Sequence, residues 1–293
     1  MVVISTAQAA GDPSPAVGKA VPATPGSSPD KKTDIDSLTR EFGQVPIDIG
    51  RILRRGRLIV AMIAKDQPPF VMKNKQGDLM GLDVKIAQGI ADQLGVKVEF
   101  NRKATTFNGV VDLVEKGEAD IGISKLSRTL ERAKKVLFSQ PYIVLRQGLI
   151  INRLGLAKQA YGRPVSDVLQ DLKGKIGVIQ GTSYEEFARQ KFPQATVVPF
   201  QDWDQIVDAV FRGEILAAYR DELAVKKTVK SKPEASIDLR IVILPKSFDP
   251  IVVALPWYST HFRDLINLYL ETIKLDATTD KLLDQWVEFE SQP

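Results

Sequence analysis

One ten-residue stretch occurs twice in this chain. Val110-Val111-Asp112-Leu113-Val114-Glu115-Lys116-Gly117-Glu118-Ala119 returns 96 residues later as Ile206-Val207-Asp208-Ala209-Val210-Phe211-Arg212-Gly213-Glu214-Ile215. Each copy is an apolar helical stripe ended by a glycine, where the chain turns left-handed at no steric cost. Each then runs into a short apolar strand, expected at 119–124 and 215–219. The strands close in polar residues, Ser124-Lys125-Leu126-Ser127 in the first copy and Arg220-Asp221-Glu222 in the second. A helix–strand unit used twice predicts two similar α/β lobes facing one cleft, because open α/β sheets bind ligands outside the carboxyl ends of their strands.

A length of 293 residues gives each lobe its own core. The chain has no cysteine, which excludes disulfides, thiolate metal sites, thiol nucleophiles and a lipid-anchoring cysteine. Its one histidine, His261, excludes His-rich zinc sites and argues against a Ser-His-Asp triad. His261 reads as a surface residue beside Phe262. No run of eighteen apolar residues is present, so no membrane span is expected. The net charge of +4 is mild and the basic residues are scattered, so no nucleic-acid footprint is expected. No cofactor or metal is expected, and the chain reads as a monomer.

Residues 1–45 differ from the rest. Val2-Val3-Ile4 followed by Ala7-Gln8-Ala9 has the small-x-small pattern of a signal-peptide cleavage site, although the basic n-region is missing and the apolar run is short. Residues 11–32 hold five prolines among Gly, Ser and Ala, the composition of a flexible spacer. The expectation from this segment is an exported, soluble protein that is not lipid-anchored.

From residue 48 a short helix is expected, broken by Gly56, and then strand and helix alternate. Strands are expected at 58–63, 96–100, 147–152, 175–179, 196–199 and 239–244. Helices are expected from 82 to 94, at 107–114 and 184–191, ending at 134–138, and at 262–274 and 279–289. Leu265, Leu268, Tyr269 and Ile273 form one expected core stripe. Leu282, Leu283, Trp286 and Phe289 form another.

Several motifs together carry a resemblance. They are Leu58-Ile59-Val60-Ala61 with Pro68-Pro69-Phe70, Gly81-Leu82-Asp83, Lys116-Gly117-Glu118-Ala119-Asp120-Ile121, Thr129-Leu130-Glu131-Arg132 and Phe138-Ser139-Gln140-Pro141-Tyr142. Leu172-Lys173-Gly174-Lys175-Ile176-Gly177-Val178 and Gln180-Gly181-Thr182 follow in order. From about 52 to 289 the chain resembles the amino-acid-binding periplasmic proteins of ABC transporters, the family 3 solute-binding proteins. The resemblance implies a type II periplasmic-binding-protein fold, two α/β lobes joined by a two-crossing hinge. Lobe 1 would comprise 46–148 and 245–293, lobe 2 149–244, with crossings near 147–153 and 240–246. It also implies capture of an amino acid or related small carboxylate by hinge closure, without catalysis, and delivery to a membrane ABC permease. Two other functions stay open: a periplasmic dehydratase of cyclohexadienyl type using Glu185 or Glu186, and a sensing module for a signalling partner.

Arg132 stands in the first turn of its helix, where the dipole opposes a cation, and its planar fork suits a carboxylate. A surface arginine, or one paired with Glu131 or Glu99, is the plain alternative. The resemblance assigns Arg132 to the ligand α-carboxylate and Asp221 to the α-ammonium, the alternative for Asp221 being a solvated loop. Gly181-Thr182-Ser183 opens a helix whose free N–H groups favour an anion, and Ser183-x-x-Glu186 reads as a capping box. By resemblance Thr182 and Ser183 add carboxylate contacts, and Ser124 and Ser127 offer carbonyl and hydroxyl groups. Phe70 and Phe107 are candidate walls of the side-chain pocket. The family places an aromatic at Phe107 and commonly at the position of Gln67. Basic- and glutamine-binding relatives carry an aspartate where Ala64 stands, and a small residue is usual at Lys125. With Arg220 as a further cation, these departures favour a polar or acidic side chain over a basic one. Lys125 otherwise points into solvent or pairs with Glu222.

Overall fold

The computed structural model describes residues 45–232, 237–275 and 277–291, the last four by backbone alone. The expected signal remnant and spacer lie outside the described residues. One sheet organises the chain. Its first parallel group consists of β1 (Arg57–Ile63), β4 (Lys97–Ala104) and β5 (Ile121–Ser127) in the order β4-β1-β5. The second consists of β8 (Gly174–Ile179), β9 (Ala195–Phe200) and β10 (Ala217–Asp221) in the order β10-β8-β9. Between the groups runs an antiparallel ribbon of two long strands, β7 (Ile143–Asn152) and β11 (Leu239–Pro256). A short hairpin, β2 (Met72–Lys73) and β3 (Leu79–Met80), stands apart, and β6 (Val136–Phe138) pairs with the end of β11.

The inner strand β1 reads as an apolar run because helices cover both faces, whereas the edge strand β4 alternates polar and apolar residues. In the first half the helices are α1 (Ile47–Arg55), α2 (Leu82–Gln93), α3 (Phe107–Glu115) and the one-turn α4 (Leu130–Ala133). The first three enclose one core around Val60, Ile86, Ile90, Val110 and Ile123. In the second half α5 (Arg153–Ala160), α6 (Val165–Gln170) and α7 (Ser183–Lys191) bury one face of the sheet, and α8 (Trp203–Phe211) with α9 (Glu222–Ser231) buries the other. Then α10 (Thr260–Thr272) and α11 (Thr279–Ser291) return to the first core through Phe262, Ile266, Leu270 and Leu282.

The repeat is structural. Both α3 and α8 are nine residues long, with N-caps Thr106 and Asp202, and Gly117 and Gly213 end the two copies at φ 74° and 72°. In both, the N–H two residues past the helix-closing lysine or arginine returns to the last turn, Glu118 to Leu113 and Glu214 to Ala209.

Four expectations are corrected. Residues 136–138 are a strand, not the end of a helix, because β-branched Val136 and aromatic Phe138 complete an edge beside Ala254–Pro256. The α10 stripe is rotated: Phe262, Ile266 and Leu270 are buried and Leu268 is 65% exposed, an i, i+4 series overlooked beside its neighbours. The expected strand at 239–244 continues to Pro256 through a register shift between Leu244 and Phe248. Helices α5, α6 and α9 were not expected; α5 and α6 carry little apolar periodicity, and α9 follows directly on a strand. Phe289 of the second stripe has a side chain outside the described residues.

Candidate functional site

The two polar strand ends meet. Lys125 near the end of β5 and Asp221 at the end of β10 are 96 residues apart, so they hold equivalent places in the two repeats. Lys125 Nζ donates to Asp221 Oδ2 at 2.7 Å, with side chains 9% and 2% exposed. Asp221 is also the N-cap of α9: its Oδ1 accepts from the Ala224 N–H at 3.1 Å. Arg220 Nε lies 3.6 Å from Oδ2. Burial alone would raise the Asp221 carboxyl, but Lys125 and Arg220 hold it below the usual carboxylate range.

Lys125 is itself pinned. Its backbone is left-handed, φ 48°, a region that is costly for a residue with a Cβ. Its N–H donates to Asp83 Oδ2 at 2.7 Å, and Tyr142 Oη donates to Asp83 Oδ1 at 2.7 Å. Phe70 lies beneath the ammonium, its ring centre 5.2 Å from Nζ. Burial pushes the Asp83 carboxyl up to about 6.

Arg132 is 5% exposed, and its hydrogen bonds among the described residues go to neutral acceptors, while the charges of Asp249 and Glu186 act on it from further off. Nε and Nη2 donate to Asn108 Oδ1 at 3.1 and 3.0 Å, and Nη1 donates to the Ser127 carbonyl at 3.0 Å. A guanidinium has five N–H groups, so two remain, one on each terminal nitrogen, enough for a two-point contact with a carboxylate. Burial pushes Arg132 down to about 10, and it stays charged at neutral pH. Neither Glu131, paired with Lys134, nor Glu99, paired with Arg57, is its partner. The dipole argument fails for it, because α4 is a single turn.

From the other half, Ser183 Oγ donates to Ser127 Oγ at 2.8 Å. Thr182 is the N-cap of α7, but its hydroxyl donates to the Ile179 carbonyl at 2.6 Å and caps nothing. The expected capping box is displaced: Glu185, not Glu186, reaches back, and it accepts from the Gly181 N–H. Arg189 and Gln190 take up Glu185 and Glu186.

Arg132, Ser127, Lys125, Phe107, Thr182, Ser183, Arg220 and Asp221 thus share one inner cavity, of about 20 Å³, room for about one water. Gln67 belongs to an adjoining chamber of about 300 Å³ that also holds Phe107, Lys125, Trp203 and Arg220. There Arg220 donates to Gln67 Oε1 at 2.9 Å and stacks over Trp203. Two candidates lie off these walls. Phe70 is fully buried, and Ser124 is buried with its Oγ accepting from the Ile63 N–H at 3.0 Å. Lys125 pairs with neither solvent nor Glu222, which Arg146 and Thr279 engage.

Sequence reasoning missed Asn108, Tyr184 and Asp249. Asp249 on β11 is fully buried in the inner cavity. Tyr184 Oη donates to its Oδ2 at 3.0 Å, and its Oδ1 has no partner among the described residues. An acidic residue opening the apolar run Pro250–Leu255 was the available signal. Burial pushes this carboxyl up to about 6, the Ser127 hydroxyl pulling the other way. With Asp83 and Asp249 near 6 when folded and 3.8 ordinarily, the native state holds more protons between those values. Stability is therefore expected to fall as pH rises from about 4 to 6. Asp249→Asn is expected to remove about 2 kcal/mol of that fall, read from urea midpoints at pH 4.5 and 7; an unchanged difference refutes it.

The profile of the bacterial extracellular solute-binding proteins, family 3, matches residues 59–289. The chain belongs to this family. L-cystine-binding protein TcyJ of Escherichia coli K12 is 28% identical to this solute-binding protein over 241 residues, 81% of this chain and 85% of that one. The amino acid ABC transporter substrate-binding protein AbpA of Streptococcus pneumoniae, solved bound to L-arginine, matches with a TM-score of 0.65 at 27% identity, covering 83% of this chain and 99% of that one. The ancestral amino acid-binding protein AncCDT-1, a precursor of cyclohexadienyl dehydratase, matches with a TM-score of 0.63 at 29% identity, covering 81% and 98%. The sheet with its central ribbon is the type II fold of these binding proteins. No helix among the described residues is long and apolar enough to cross a membrane.

Proposed function

We propose that this solute-binding protein captures a small amino acid or related carboxylate in the periplasm and hands it to an ABC-type permease. The reading rests on Arg132, a buried guanidinium with two unspent N–H groups and no carboxylate hydrogen-bonded to it, on the wall where the two repeats meet. The inner cavity of about 20 Å³ does not by itself hold such a solute, and capture would be by the lobes, 46–148 with 245–293 against 149–244, parting and closing again. The pivot would be the bulge at 245–247, opposite Arg146 and Gln147. Micromolar capture needs about 8 kcal/mol net, which a desolvated bidentate clamp and the N–H groups opening α7 supply in large part.

Arg220 and the missing carboxylate at Ala64 support a polar or acidic side chain over a basic one. A thermal-shift panel of common amino acids and small carboxylates tests this: acidic and polar compounds are expected to raise Tm by several degrees, arginine and lysine not at all. A larger shift with arginine overturns the preference, and silence across the panel overturns the reading. Glu185 and Glu186 are engaged by Gly181, Arg189 and Gln190, which disfavours dehydratase chemistry. Prephenate and arogenate are accordingly expected to survive incubation with the protein unchanged, followed by product absorbance.

A further inference from the structure

The pairing of Lys125 with Asp221 sets the chemistry of the solute. Resting on the carboxylate-capture reading, we infer that the solute of this site lacks an α-ammonium: it is a 2-oxo or 2-hydroxy acid, because Lys125 supplies from within the chain the ammonium that Asp221 accepts. Both Asp221 oxygens are engaged, Oδ1 by the Ala224 N–H and Oδ2 by Lys125 Nζ at 2.7 Å. A second ammonium reaching Asp221 must either lie beside Lys125 and Arg220, like charge against like, or displace Lys125 and leave a lysine that is 9% exposed without this counter-ion, and both are unfavourable in a low-dielectric interior.

The placement of Lys125 is built in at several points. The left-handed backbone at φ 48° aims the residue across the cleft and is held by Asp83, itself fixed by Tyr142. Strained backbone persists only where its surroundings over-determine it, and such positions cluster at ligand sites. The aromatic face of Phe70 lies on the other side of the ammonium. The inner cavity sets Lys125, Arg132 and Arg220 against Asp221 and Asp249. A solute of one net negative charge balances that set. A zwitterion leaves it positive and places a further ammonium beside Lys125 and Arg220. The free Oδ1 of Asp249 is the rival acceptor for such an ammonium.

Calorimetric titration of the full chain with matched pairs tests the inference. The pairs are pyruvate and L-alanine, 4-methyl-2-oxopentanoate and L-leucine, 2-oxoglutarate and L-glutamate, and phenylpyruvate and L-phenylalanine. The wild-type protein is expected to bind the oxo acid of its preferred pair at least about tenfold more tightly than the amine, about 1.4 kcal/mol. Lys125→Ser, which frees Asp221, is expected to reverse that order, and Lys125→Met serves the same purpose if the serine variant folds poorly by circular dichroism. An amine bound as tightly as, or more tightly than, its oxo acid by the wild-type protein overturns the inference. So does amine binding that Asp249→Asn abolishes and Lys125→Ser leaves alone. Either result, if lost in Arg132→Ala, leaves the carboxylate-capture reading standing. Failure of every compound of both kinds to bind overturns the capture reading together with the inference.

Discussion

Arg132→Ala is expected to abolish solute-induced stabilisation and to lower affinity at least about hundredfold, or ~3 kcal/mol. The size follows from what the side chain does. The guanidinium is 5% exposed, and Asn108 Oδ1 and the Ser127 carbonyl hold it in place with three hydrogen bonds. Its orientation is therefore fixed before a solute arrives, and little entropy is left to lose on binding. Charge-assisted hydrogen bonds to a buried carboxylate are about twice as strong as neutral ones, and Arg132 keeps two N–H groups that no carboxylate of the described residues takes up. Arg132→Lys is expected to recover only part of the loss, because an ammonium is a point charge without the planar fork. The measurement is titration with whichever compound of the panel gives the largest thermal shift, with circular dichroism confirming the fold. Undiminished binding by the alanine variant removes Arg132 from the site.

The second large effect is on stability. Gly81 caps α2 at φ 121° and ψ 178°, a region open essentially only to glycine. A Cβ there would sit 2.4 Å from the Phe70 carbonyl oxygen and 2.7 Å from that of Pro69. The same carbonyls accept from the Asp83 and Leu82 N–H groups at 2.9 and 3.0 Å, so the helix cannot back away without releasing both. Gly81→Ala is expected to cost about 3–4 kcal/mol, from strain and overpacking together, and to lower Tm by roughly 10 °C in scanning calorimetry. A loss under about 1 kcal/mol would mean the Phe70 loop relaxes freely. Because Asp83 sits two residues on and holds the Lys125 N–H, this variant is also expected to loosen the Lys125–Asp221 pair.

The repeat made the architecture readable. Two glycine-stopped helices leading into apolar strands can be packed in few ways, and the strand ends that the repeat marked as polar are those lining the cavity. Arg132 stood out too, through its motif, and it lies buried with two N–H groups to spare. What the sequence hid depends on contacts between distant segments. Asp221 does end a strand, but the cap rule applied to Asp221 ahead of Leu223 and Val225 also marks α9 and a second use for its carboxylate. Lys125 and Asp221 could be seen as equivalents, but spacing does not say that two lobes close far enough for equivalents to touch. Asn108 and Asp249 carry no spacing signal, and only the packing of α3 and β11 brings them to Arg132 and Tyr184.

The ribbon of β7 and β11 has one more implication. Each half completes its sheet with strands that also belong to its neighbour, so neither bank of the cleft can come apart while the other stays whole. Heating should melt the molecule in a single cooperative event, and a guest gripped at the rim should protect amides in the remote helices against hydrogen exchange as firmly as those it touches.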